Sequence, residues 1–135
     1  MLSYLYVALG SAAGGVVRWS LGSWVQRLAG GAPPGVFPVG TLVVNASGSF
    51  VLGVLGAVLA RPGDAGRVDL GWLLLGVGFC GGYTTFSTFS LDTVALLESR
   101  GWLVAMANVV GSVAAGMIGV GAGLALGRAA MGRLA

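Results

Sequence analysis

Four long stretches of this chain, residues 2–17, 28–60, 70–91 and 101–127, contain no charged side chain, and no other feature restricts its folding so strongly. The hydrocarbon core of a bilayer accepts a helix of about 20 predominantly apolar residues. Four such spans use most of a 135-residue chain and leave only loops and tails. The expectation is one all-α integral membrane domain, residues 1–135, with the lipid bilayer as its solvent.

Composition supports this and removes several chemistries. Only 8% of residues are charged, against about a quarter in ordinary globular chains. With no His and a single Cys, Cys80, the chain has no credible ligand set for zinc, haem or an iron-sulfur cluster, and no internal disulfide. The net charge of +3 comes from arginines scattered singly near span ends. They form no basic stripe, so nucleic acid is not an expected partner. The start Met1-Leu2-Ser3-Tyr4 lacks a basic leader and Arg18 follows the apolar run, so the first hydrophobic segment is read as retained.

Breakers and charges divide the chain into spans at about 2–26, 38–60, 70–98 and 102–127. Gly30-Gly31-Ala32-Pro33-Pro34-Gly35 cannot continue a helix, Arg61-Pro62-Gly63-Asp64 closes the second span, and Ser99-Arg100-Gly101 makes the last turn. Trp24, Trp72, Trp102, Tyr4 and Tyr6 lie near span ends, as an interfacial aromatic belt requires. Orientation is weakly specified. Arg61, Arg67, Arg128 and Arg133 share one side, while Arg27 and Arg100, with Arg18 if it snorkels, share the other. A fixed topology with cytoplasmic termini and insertion in both orientations each satisfy that balance.

The 26 glycines include a row at every fourth position, Gly111, Gly119, Gly123 and Gly127 with Ala115, and a second row Gly10, Gly14 and Gly22 interrupted by Arg18. Such rows allow close helix packing and need no chemistry to explain them. The third span differs. Phe79-Cys80-Gly81-Gly82-Tyr83-Thr84-Thr85-Phe86-Ser87-Thr88-Phe89-Ser90 sets a Gly-Gly pair and five serine and threonine hydroxyls where the bilayer midplane falls. A continuous helix is not expected there, and irregular backbone at that depth must be buried in protein or line a polar cavity. Carbonyls freed at such a break suit a cation, with Gly81 and Thr84 flanking the turn. A glycine kink held by hydroxyl back-bonding is the plainer alternative.

After the break, Phe86, Phe89 and Asp92 recur every third residue, with Thr85 and Thr88 beside them. Phenyl edges carry positive potential, so a small anion can approach them while hydroxyl and amide donors replace its water. Thr41, Asn45 and Ser49 supply donors at four-residue intervals on the second span, and Asn108 and Ser112 do so on the fourth. Taken singly, these residue types usually pack or glue helices. Their coincidence motivates an anion path.

These residues resemble the Fluc fluoride channels, also called CrcB proteins. The resemblance covers nearly the whole chain and rests on Gly14-Gly15-Val16-Val17-Arg18, Gly40-Thr41-Leu42-Val43-Val44-Asn45 with Gly48-Ser49-Phe50, and Gly81-Gly82-Tyr83-Thr84-Thr85-Phe86-Ser87-Thr88-Phe89-Ser90. It implies a multi-pass protein of the cell inner membrane that passively exports fluoride, formed as an antiparallel, dual-topology homodimer with the third helix broken at mid-membrane. It also implies a structural Na+ ion at the dimer interface, held by backbone carbonyls of Gly81 and Thr84. Phe86 and Phe89 would then be the pore aromatics and Asn45 a fluoride donor, with Thr41, Thr85, Thr88, Asp92, Ser112 and Arg18 along the pathway. Asp92 stands where the family often has glutamate, and Asn108 where it often has tyrosine. A small multidrug-type transporter would need an acidic residue in the first span, which has Arg18 instead. A non-transporting assembly subunit would leave the midplane hydroxyls unexplained.

Overall fold

The computed structural model describes residues 1–31, 35–59 and 69–133. Among them, all regular structure is helical: α1 (Leu2–Leu28), α2 (Val39–Leu59), a π-helical run (Trp72–Cys80) passing into one turn, α3 (Gly81–Tyr83), then α4 (Phe86–Arg100) and α5 (Trp102–Gly132). Two of these, α2 and α5, are long and apolar enough to cross a membrane by length and composition.

The helix ends depart from the sequence-based bounds for local reasons. Helix α1 continues two residues beyond 26, where Arg27 in its last turn complements the negative end of the helix dipole. Helix α5 runs to Gly132, since Arg128, Ala129, Ala130 and Met131 are good helix formers. The turn at residues 61–64 lies outside the described residues. Between α4 and α5 one residue suffices, because Gly101 adopts φ +83° and serves as both the end of one helix and the start of the next.

Glycine sets how closely the helices approach. An added Cβ at Gly10 or Gly14 of α1 would strike the backbone of Leu74 or Phe79, and one at Gly53 of α2 or Gly123 of α5 would strike Val120 or Phe50. The packing reading of the glycine rows therefore holds at Gly10, Gly14, Gly119, Gly123 and Gly127, whereas Gly111 meets nothing within 4 Å in the single chain. Few large side chains are buried: Val44, Leu96, Cys80 and Tyr83 are, together with Asn108. Large apolar residues such as Val16, Leu91, Val110, Met117 and Ile118 lie exposed around the bundle. A water-soluble monomer does not carry such a surface, whereas lipid and partner helices would cover it.

The third region corrects the location of the expected irregularity. Gly81 has φ −64° and ψ −38°, an ordinary helical conformation, so the Gly-Gly pair does not form the turn. The extended residues are Thr84 (φ −84°, ψ 158°) and Thr85 (φ −149°, ψ 116°), which lie between α3 and α4.

Candidate functional site

The extended pair exists because side chains replace its helical hydrogen bonds. Asn45, on α2, faces Thr85 and makes two bonds with its backbone: the Thr85 N–H donates to Asn45 Oδ1 at 2.7 Å, and Asn45 Nδ2 donates to the Thr85 carbonyl at 3.0 Å. This amide does for one residue what a neighbouring strand does in a sheet. Thr85 then caps α4, its Oγ1 accepting from the Thr88 N–H at 3.1 Å and lying 3.0 Å from Thr88 Oγ1. Thr84 stays tied to the preceding turn, its N–H and its hydroxyl both donating to the Cys80 carbonyl at 2.9 Å.

This pattern has a consequence for two carbonyls. In a continuous helix the Thr85 N–H would bond the Gly81 carbonyl and the Thr88 N–H would bond the Thr84 carbonyl. Here Asn45 Oδ1 takes the first amide and Thr85 Oγ1 takes the second. The two carbonyls named from the sequence as cation ligands are therefore among those that lose their helical donors at this junction, as are those of Gly82 and Tyr83. Gly81 is exposed on the single chain, and a Cβ there would meet nothing within 4 Å. Among the described residues, no cluster of three His, Cys, Asp or Glu side chains offers a rival metal site.

Beside this junction, between α1, the start of α2 and α4, lies a cavity of about 560 Å³. Arg18, Thr41, Thr85, Thr88 and Asp92 all line it, so five of the sequence-predicted pathway residues meet at one void. The Thr41 hydroxyl donates to Asp92 Oδ2 at 2.7 Å, which orients the carboxylate across the cavity. Arg27 also lines the wall, giving two guanidinium groups against one carboxylate.

The remaining residues lie elsewhere. Phe86 and Phe89 form a tilted pair with centroids 5.6 Å apart, but neither lines the cavity, and Phe86 is 80% exposed on the flank of the bundle. Ser112 also lies apart from the void. Its hydroxyl donates to Asn108 Oδ1 at 3.4 Å, Asn108 Nδ2 donates to Thr93 Oγ1 at 2.9 Å, and Thr93 donates to the Phe89 carbonyl at 2.7 Å. This relay joins α5 to the backbone of the aromatic pair. Thr93 was not singled out from the sequence, although it continues the four-residue row from Phe89. Ser47 and Tyr83, whose hydroxyls lie 2.8 Å apart, were also missed, because a single tyrosine carries no spacing signal.

Comparison with known proteins places the whole described site within matched sequence. The family model for CrcB-like protein, Camphor Resistance (CrcB), matches residues 5–124. The fluoride-specific ion channel FluC of Rhizobium johnstonii is 45% identical over 129 residues, covering 96% of this chain and 98% of that protein. The FluC channel of Paramagnetospirillum magneticum is 44% identical over 121 residues, covering 89% and 91%. That of Coxiella burnetii is 41% identical over 127 residues, covering 94% and 98%.

Proposed function

The chain belongs to the CrcB family, and from that premise we propose that it is a fluoride-specific ion channel whose two antiparallel copies give fluoride a passive way out across the cell inner membrane. Such a protein is a channel and falls in no enzyme class. The observation that carries the reading is the cavity in which Arg18 meets Thr41, Thr85 and Thr88. Fluoride enters that void, attracted by the guanidinium, and exchanges its water for neutral donors. Asn45, which does not line the void, retains a second N–H beyond the one it gives to Thr85, and this donor and the Phe86 and Phe89 ring edges would serve the ion beyond the cavity. Ser112 supports the path through the Asn108 relay. Neutral donors bind weakly enough to release the ion, while the narrow passage disfavours larger chloride. An inside-negative potential of about 100 mV adds roughly 2.3 kcal/mol per anion, roughly a forty-fold outward bias with no coupled energy source.

Two copies are needed because four helices alone pack into a filled bundle, and because Phe86 and Gly81 are exposed on one chain. With an in-plane two-fold axis, both orientations occur in one membrane. Labelling a cysteine near Gly63 in a Cys80-free variant from both faces tests this, and protection from one face in every molecule would refute it. The diverted carbonyls of Gly81 and Thr84 fit a hard monovalent cation without carboxylates, and from two subunits they would hold Na+ at the interface. Bound there, the ion supplies an electrostatic link between subunits. Equal thermal stability of the dimer in sodium and in a large organic cation would remove that role.

The primary test is anion efflux from proteoliposomes under a passive gradient. Fluoride should leave and chloride should stay. Equal chloride flux, or flux that requires a proton gradient, would defeat the channel reading.

A further inference from the structure

The side chain that ties the most backbone together near the cavity is Gln26, at the end of α1. Its Nε2 donates to the Gly31 carbonyl at 2.7 Å and to the Phe37 carbonyl at 3.2 Å, while its Oε1 accepts from the Gly40 N–H at 3.0 Å. Both amide hydrogens and the amide oxygen are thus committed to main chain on either side of the connection between α1 and α2. Gly40 is the second residue of α2, where an amide has no partner within its own helix. Pro38, the residue before the helix, has no side-chain acceptor to cap it. Gln26 supplies that cap from another helix. It does so where the two helices come closest, since a Cβ on Gly40 would strike the Gly22 backbone and lie 3.2 Å from Gln26 Cβ.

The same carboxamide forms part of the cavity wall, with Gly31, Gly35, Val36 and Pro38 around it and Arg27 next to it in sequence. A void that receives an anion cannot present bare carbonyl oxygens at its rim, because their negative ends repel the ion they should admit. Gln26 covers one such oxygen, that of Gly31, with an amide hydrogen, and shares the Phe37 carbonyl with the Val39 N–H. Through Gly40 it also fixes the neighbouring Thr41, whose hydroxyl orients Asp92.

We propose that Gln26 is a positioning residue for fluoride entry: it holds the rim of the cavity with the Gly31 carbonyl masked, the chain at Phe37 tied down and Thr41 in register with Asp92. This inference rests on the channel reading and extends it to a residue that does not touch the ion. Substitution should therefore change how fast each open channel passes fluoride, not merely how many channels form. Gln26→Glu keeps an acceptor for Gly40 but sets a carboxylate against two carbonyls, and Gln26→Met keeps the length and loses all three bonds.

The test is single-channel recording of fluoride current in planar bilayers, with parent, Gln26→Glu and Gln26→Met. Unitary current counts only channels that have assembled, so poor yield does not obscure it. Both variants should carry a unitary current reduced about five-fold or more, with Gln26→Glu the lower because it adds a negative charge at the entrance. Unitary currents equal to the parent's would overturn the proposal. So would a variant from which no channel opens at all, since Gln26 would then serve assembly. A parent that carries no fluoride current would instead defeat the channel reading.

Discussion

The seam between α2 and α5 and the junction between α3 and α4 use opposite means to hold helices in place. At the seam, Gly53, Gly119, Gly123 and Gly127 remove side chains so that one backbone rests on another. At the junction, Asn45 and Thr85 add polar side chains that substitute for backbone hydrogen bonds. The first gives rigid contact that lipid can surround. The second costs helical regularity and in return directs hydroxyls into a cavity. In a membrane, where water cannot satisfy freed amides, the second device works only because each diverted group finds a specified partner.

The largest effect should come from filling the seam. Gly123→Leu drives a side chain into the Phe50 carbonyl, and overpacking of this kind costs about 3 kcal/mol or more where backbone must move. Loss of the folded protein in detergent, seen as aggregation on size exclusion, is the expected outcome. A well-behaved Gly123→Leu variant would show the seam to be looser than the junction, reversing the comparison.

Next comes Asn45→Leu, which leaves the Thr85 N–H and carbonyl without their partners at roughly 1–3 kcal/mol each. The protein should remain folded at reduced stability while fluoride efflux falls by about a hundred-fold. Efflux at the parent rate would mean that the junction does not shape the path.

Phe86→Ile and Phe89→Ile preserve bulk and remove the positive ring edge, so each should lower fluoride flux by about ten-fold with little change in stability. Parent-like flux in both variants would confine the functional part of the junction to its hydroxyls. The smallest effect belongs to Gly111→Ala, where the added methyl meets open space and helix propensity favours it by about 1 kcal/mol. A slight rise in unfolding temperature is expected. Marked destabilisation would reveal that a second subunit packs on this glycine.

How much of this was legible beforehand follows from where the partners lie. The helical runs could be read because charge and its absence are local properties. The glycine rows could be read because a helix brings every fourth residue to one face. The junction was legible as an anomaly but displaced by three residues. Gly81-Gly82 looked like the weak point by propensity, yet an unbroken turn costs glycine little when packing holds it, and Ser11 of α1 leaves no room for a Cβ at Gly82. The extended residues are threonines because Asn45 sits opposite them, a fact with no trace in the local sequence. Gln26 was read as a span edge for the same reason, since its three partners are main-chain groups that could belong to any residue. The cavity has Arg18, Thr41 and Asp92 in its wall, while Ser112 lies apart from it and bonds Asn108, which in turn bonds Thr93.

The clamp between Asn45 and Thr85 spans forty positions of chain, and this has a bearing on the order in which the molecule matures. Until α2 has docked, a lone third segment in lipid has no acceptor for the Thr85 amide other than the Gly81 carbonyl, so it must run on as plain helix. The opening in the ladder is thus created by tertiary docking and cannot precede it. A newly inserted chain, or one caught half assembled, therefore keeps the Thr85 amide closed on its own helix. The same contact that opens the ladder at Thr85 thus delays that opening until α2 is in place.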